Sequence, residues 1–223
     1  MNRFLLLFLI TIIFTTGCSG SSLSTDKAKY SYAVGKNVGM TLKRQDLDID
    51  MDAFMDGVKD TIAGKESRIT DEQINEAVKK MTEIAMNKQK ETAEKNAKEG
   101  SDFLKKNLEK PGIKVTKSGL QYKIIKEGNG PKALATDTVS VHYKGTLIDG
   151  KEFDSSYKRN EPAVFELGRV IPGWVEGIQL MSKGSKYELI IPSELGYGER
   201  ANSAIPANSV LIFEVDLLDI IKK

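Results

Sequence analysis

The spacing of apolar residues changes period partway along the chain, and that change limits the fold more than any other feature of the sequence. Between residues 26 and 110 apolar side chains recur at helical spacing. Tyr30, Val34 and Val38 form one set, Phe54, Val58 and Ile62 a second, and Ile74, Val78, Met81 and Ala85 a third. Each set falls on one face of a helix. From residue 139 onward the period is two. Val139, Val141 and Tyr143 alternate with Ser140, His142 and Lys144, and Tyr187, Leu189 and Ile191 with Lys186 and Glu188. Leu211, Phe213, Val215 and Leu217 alternate in the same way with Glu214 and Asp216. These are half-buried strands, separated by turns such as Asp149-Gly150. A sheet with one apolar face has to cover something, and the segment Gly173 to Leu180, with Trp174, Ile178 and Leu180, is the candidate. The pattern predicts an α+β chain: an N-terminal all-helical region, a long connecting helix, and a C-terminal antiparallel β-sheet wrapped around a short helix.

Helix starts are marked by local chemistry. Asp50 is an N-cap candidate, and Thr70-Asp71-Glu72-Gln73 fits a capping box with Ile69 and Ile74 as its hydrophobic staple. From Asn87 to Lys98 nearly every residue is polar, and Glu91 with Lys95, Glu94 with Lys98 and Asp102 with Lys106 are spaced for i,i+4 pairs. A helix polar all round reads as a solvated bridge. Unbroken from Asp71 to Glu109, where Pro111-Gly112 stops it, it would span about 58 Å, with Gly100 a point for a local bend. Five of the seven methionines lie between Met40 and Met86. At helical spacing these are core or a pliable helix–helix interface. Three short helices make a thin core, so this half is expected to form a homodimer through its helices. The domain reading is therefore 26–85 for the helical dimerisation domain, 86–111 for the connecting helix and 112–223 for the sheet domain.

The N-terminus carries an export signal. Arg3 precedes a mostly apolar run, Phe4 to Phe14, that is too short to span a bilayer. Thr15-Thr16-Gly17 then leads into Cys18, the single cysteine. This resembles a bacterial lipoprotein signal, with 1–17 removed, Cys18 lipidated and 18–25 left as a flexible tether. Thr15 stands where such signals usually have Leu, and the alternative is an ordinary secretory signal followed by a stray cysteine. Both readings export the chain to the bacterial cell envelope. Ser19 after the cysteine, where an Asp would retain some lipoproteins in the inner membrane, favours a lipid anchor at the outer membrane. Lysine and arginine total 33 against 31 acidic residues, so no field points to nucleic acid. One cysteine and one histidine provide neither an internal disulfide nor a Cys/His metal site, and no cofactor is implied.

Five ordered motifs occupy the C-terminal half. They are Val141-His142-Tyr143-Lys144-Gly145, Asp149 to Ser156 (DGKEFDSS), Val170-Ile171-Pro172-Gly173-Trp174, Leu195-Gly196-Tyr197-Gly198 and Ile205 to Phe213 (IPANSVLIF). Together they closely resemble the FKBP family, the immunophilins that bind tacrolimus and rapamycin. The leader, the helical half and the entry Leu120-Gln121-Tyr122 look like the macrophage infectivity potentiator subfamily of dimeric surface isomerases. The resemblance implies peptidyl-prolyl cis–trans isomerase activity on Xaa–Pro bonds of exported, unfolded polypeptides, with chaperone activity beside it. It also implies inhibition by tacrolimus- or rapamycin-type macrolides.

Carried over residue by residue, the resemblance makes Tyr143, Phe153, Phe165, Val170, Ile171 and Phe213 pocket walls, Trp174 the floor, and Asp154, Tyr197 and Ile205 the rim. It assigns the backbone donor to Ile171, a hydroxyl donor to Tyr197 and an orienting carboxylate to Asp154. Without it, each residue has a plainer reading. Trp174 is an ordinary core residue, Tyr143 and Phe213 are apolar strand positions, and Asp154 is a turn former before Ser155-Ser156. His142 falls on the polar parity and reads as solvent-side. The stretch between Tyr197 and Ile205 departs from the family: it lacks a His found there in some members and has Ala204 where a bulkier Ile can stand. A binding module with little turnover, or a holdase with incidental catalysis, remain as alternatives.

Overall fold

A computed structural model describes residues 22–45, 47–200, 202 and 204–221. The expected signal and Cys18 lie outside the described residues. The chain divides into two compact units between Phe54 and Met55.

The first unit holds α1 (Asp26–Gln45) and the start of α2 (Met51–Ile62). The Thr25 hydroxyl accepts the Ala28 amide at 3.1 Å and so caps α1. One Asp50 carboxylate oxygen accepts the amides of Asp52 and Ala53, each at 3.0 Å, and caps α2 as expected. The stripe of Tyr30, Val34 and Val38 is exposed on α1.

In the second unit α3 (Asp71–Leu108) runs 38 residues, unbroken through Gly100, about 57 Å long. Its capping box is formed: Thr70 Oγ1 accepts the Gln73 amide at 3.2 Å, and Gln73 Oε1 accepts the Thr70 amide at 2.9 Å. The charged residues pair in the opposite sense to that expected, Lys90 with Glu94 at 4.0 Å and Lys95 with Glu99 at 3.9 Å. The solvated-bridge expectation fails from Ala93 on. Asn96 and Asn107 hydrogen-bond to groups of the sheet domain, and Gly100 and Asn107 are buried.

Among the described residues seven strands form one antiparallel sheet: β1 (Ile113–Val115), β2 (Gln121–Lys126), β3 (Thr138–Leu147), β4 (Glu152–Ser155), β5 (Ala163–Glu166), β6 (Lys186–Ile191) and β7 (Leu211–Ile221). The order is β1-β2-β6-β7-β3-β4, and β5 also pairs with β3. Alternation holds where it was read: Val139, Val141 and Tyr143 of β3, and Leu211, Phe213, Val215 and Leu217 of β7, are all buried. Their inner face covers α4 (Pro172–Leu180). Pro172 starts this helix with its φ already set and no amide to leave unpaired. Gly173 and Gly177, one turn apart, let it lie flush on β6, where a Cβ would stand 2.4 Å from Ile191 and 2.6 Å from Leu189. The α+β architecture is the one the periodicities predict.

Candidate active site

The site grows from a change of partner along β3. Its first half, Thr138 to Val141, pairs with β5, and its second half, from Lys144, pairs with β4. Tyr143 lies at the changeover, and Ser156 fills the gap in the ladder. The Tyr143 amide donates to Ser156 Oγ at 2.8 Å, and the Ser156 amide donates to the Tyr143 carbonyl at 3.0 Å. This places Asp154 opposite Gly145, within reach of the Tyr143 hydroxyl, which donates to the carboxylate.

Helix α4 brings Trp174 under the sheet, where three rings meet it nearly edge-on. Tyr143 and Phe213 each lie 5.2 Å from it between ring centres, at 87° and 82°, and Phe165 lies 5.5 Å away at 87°. Phe153 stands against Phe213 at 5.4 Å and 85°. Edge-to-face packing puts positive ring edges on negative ring faces, which favours a box of upright walls over a stack. The expected wall residues Tyr143, Phe153, Phe165, Phe213 and floor residue Trp174 are thus brought together. Val170 and Ile171 pack against the same core, and Ile205 is buried in it. Tyr197 is not joined to the box by a ring contact; it is 42% exposed.

At the site the Ile171 amide and the Tyr197 hydroxyl are left without a protein partner among the described residues. The Ile171 carbonyl accepts the amides of Trp174 and Val175 at 2.9 and 3.1 Å, but the Ile171 amide itself has none. The Tyr197 hydroxyl has none either; only the Tyr197 carbonyl is used, by the Arg200 amide at 3.1 Å. The indole Nε1 of Trp174, buried in the floor, is also unpaired.

Three contributors were not read from the sequence. Arg159 donates to Asp154 at 2.7 Å and to the Tyr143 hydroxyl at 3.0 Å, closing a triangle, and its guanidinium lies 5.7 Å from the Tyr143 ring centre. Ser156 completes the ladder. At Gly145 a Cβ would come within 2.6 Å of Phe153 and 2.8 Å of Phe213, so only glycine lets those rings close. Glycine at 145 was visible inside a strand, which is a signal of close approach; Arg159 follows a turn and gave none. His142 stays on the outer side, stacked 4.8 Å from Tyr157 and 3.0 Å from Ser156 Oγ.

The triangle fixes its own charge states. Burial pushes the Asp154 carboxyl up, but hydrogen bonds from Tyr143 and Arg159 outweigh it and hold the group below its ordinary value. Burial, then the bond to Asp154, raises the Tyr143 phenol. The bonds to Asp154 and Tyr143 raise the Arg159 guanidinium further. At neutral pH the triangle is a carboxylate, a neutral phenol donor and a cation.

An antiparallel sheet closed over one short helix, with an aromatic box between them, defines a class of proline-bond isomerases, and the comparisons agree. Residues 130–218 match the family model of FKBP-type peptidyl-prolyl cis-trans isomerase, and residues 27–124 match the domain amino terminal to FKBP-type peptidyl-prolyl isomerase. The FKBP-type isomerase FkpA of Aeromonas hydrophila is 46% identical over 86% of this chain and 75% of its own length. The outer membrane protein MIP of Legionella longbeachae is 43% identical over 91% and 89%. The crystal structure of FkpA from Escherichia coli superposes with a TM-score of 0.67 at 39% identity, covering 90% of this chain and 99% of that one. The chain belongs to the FKBP-type peptidyl-prolyl cis–trans isomerases that carry the amino-terminal helical domain, the family of FkpA and MIP.

Proposed function

We propose that the box seats the proline of an Xaa–Pro bond, with Tyr143, Phe153, Phe165, Val170, Trp174, Ile205 and Phe213 as its binding surface and Asp154, Ile171 and Tyr197 as its catalytic groups. The observation that carries this reading is a box in which three rings meet Trp174 edge-on and Phe153 backs Phe213, with unpartnered donors at Ile171 and Tyr197. A planar amide is held flat by resonance worth about 18–20 kcal/mol of rotational barrier. As the bond twists, resonance is lost, the carbonyl becomes less polar and the nitrogen pyramidal. A dry aromatic box favours that state over the planar amide, which water solvates better. The Ile171 amide and the Tyr197 hydroxyl hold the carbonyl oxygens so that rotation occurs about one bond. Asp154, fixed by Tyr143 and Arg159, orients the wall. No bond is made or broken. A coupled peptide assay tests the assignment. Tyr197→Phe removes one neutral hydrogen bond and lowers kcat/KM about three- to tenfold. Asp154→Ala removes the acceptor for three donors, the Tyr143 hydroxyl, Arg159 and the Ser155 amide, and lowers it about tenfold or more. Unaltered kcat/KM in both variants overturns the assignment. Tacrolimus- and rapamycin-type macrolides would compete for the same box.

Two finer readings accompany it. The helical half forms a homodimer, supported by two separate exposed apolar stripes, Tyr30, Val34 and Val38 on α1 and Ile74, Val78 and Met81 on α3. Two pockets on one dimer raise the effective concentration for long unfolded clients and give chaperone activity. Cys18 anchors the chain by lipid at the outer membrane, a reading supported by the leader sequence. Palmitate labelling checks it: label lost in Cys18→Ala supports the anchor, and label retained contradicts it.

A further inference from the structure

Helix α3 meets the isomerase fold at the neck of the loop that links Tyr197 to β7. The Asn208 amide donates to the Gly198 carbonyl at 2.7 Å, so the two ends of this loop are tied together. Asn208 adopts φ 57°, the left-handed conformation that asparagine and glycine take most readily. Its side chain donates to the Ala93 carbonyl of α3 at 3.4 Å, and Asn96 of α3 donates back to the Ala207 carbonyl at 2.9 Å. One turn further on, Gly100 is buried against Val210, itself 4% exposed. A Cβ at position 100 would stand 2.8 Å from Val210 Cγ2. Ala93, Asn96 and Gly100 lie three and four residues apart, on one helix face. The other end of α3 is tied to the sheet: Asn107 donates to Gln121 Oε1 and Gln121 Nε2 donates to the Leu104 carbonyl, both at 2.9 Å. The helix therefore joins the sheet to the loop neck.

We propose that Asn96, Gly100 and Asn208 are positioning residues for the isomerase reaction: through them α3 braces the neck of the Tyr197–Ile205 loop and sets affinity for the peptide flanking proline. The inference rests on the reading that Tyr197 and Ile205 border the substrate. The polar partners at the neck are backbone carbonyls, so the brace fixes the neck whatever side chains the rim carries. It also gives a reason for glycine at position 100, inside a helix where alanine would be the better former.

The test uses the full mature chain, with KM and kcat on an Xaa–Pro peptide well below the melting temperature and amide hydrogen exchange on the same samples. Asn96→Ala combined with Asn208→Gly keeps the left-handed backbone and removes both amides. It raises KM about three- to tenfold with kcat within about twofold, and speeds exchange at the amides of Gly198, Ala204, Ile205, Ala207 and position 208 while β3 and β7 exchange as before. Gly100→Ala shifts KM in the same direction despite a more helix-favouring residue, and Val210→Ala added to it makes room for the methyl and restores KM. Unchanged KM in these variants overturns the brace. So does a loss of activity accompanied by faster exchange throughout β3 and β7, which marks a role in stability alone. Tyr197→Phe in the same assay separates the two failures. If its kinetics are unaltered the site reading falls, whereas an impaired Tyr197→Phe beside unaltered brace variants sinks the brace only.

Discussion

Asp154 acts through its neighbours. Its carboxylate accepts from the Tyr143 hydroxyl, from Arg159 at 2.7 Å and from the Ser155 amide at 2.8 Å, so it is a fixed wall and not a proton carrier. Its folded value is depressed below that of the unfolded chain. Its contribution is therefore complete above the ordinary carboxylate value of about 3.9 and is lost as the pH falls through the depressed one. kcat/KM should stay level from neutral pH down to about pH 4 with respect to this group. Arg159→Met removes a bond that holds the value down, leaves burial less opposed, and moves the acid limb to higher pH. A pH profile in which wild type and Arg159→Met share one acid limb would contradict the triangle. Tyr143 and Phe213 were legible because apolar parity and ordered motifs coincide on them, and Trp174 through its motif alone. Arg159 was not, because its partners are chosen by the turn after β4 and by the Tyr143–Ser156 ladder, neither of which leaves a periodic trace.

The starts of α2 and α3 were legible at the scale of the element because caps are local: the side-chain oxygen and the amide it satisfies are two or three residues apart. Thr70→Ala should lower unfolding stability by about 1 kcal/mol through the lost cap, measurable by denaturant titration, with kcat/KM unaltered at low temperature. A wild-type midpoint would show the box contributes nothing. The docking of α3 was not legible, because apolar periodicity reports only apolar burial. Asn96 and Asn107 dock by hydrogen bonds, and Gly100 by having no side chain. The same blindness hid Ile190, which is 1% exposed although it falls on the polar parity of β6. It pairs with Gln121, which is itself buried and bonded to α3 through Asn107 and the Leu104 carbonyl.

At the scale of the whole molecule, one fold carries two unequal kinds of surface. The sheet domain closes its apolar residues around Trp174, while the helices leave Tyr30, Val34, Ile74, Val78 and Met81 exposed. The proposed homodimer accounts for that difference. Val78→Glu with Met81→Glu would place like charges in the shared interface and should halve the mass seen by light scattering, leaving turnover of short peptides intact while aggregation suppression falls. An unchanged mass would place the interface elsewhere. The central claim concerns the box itself: it lowers the barrier by desolvating a twisting amide and moves no proton. The solvent deuterium isotope effect on kcat/KM for an Xaa–Pro peptide tests this directly. A ratio within about 10–20% of unity is expected, since neither Asp154 nor Tyr197 transfers its proton in the rate-limiting step; a normal effect of about twofold or more would contradict it.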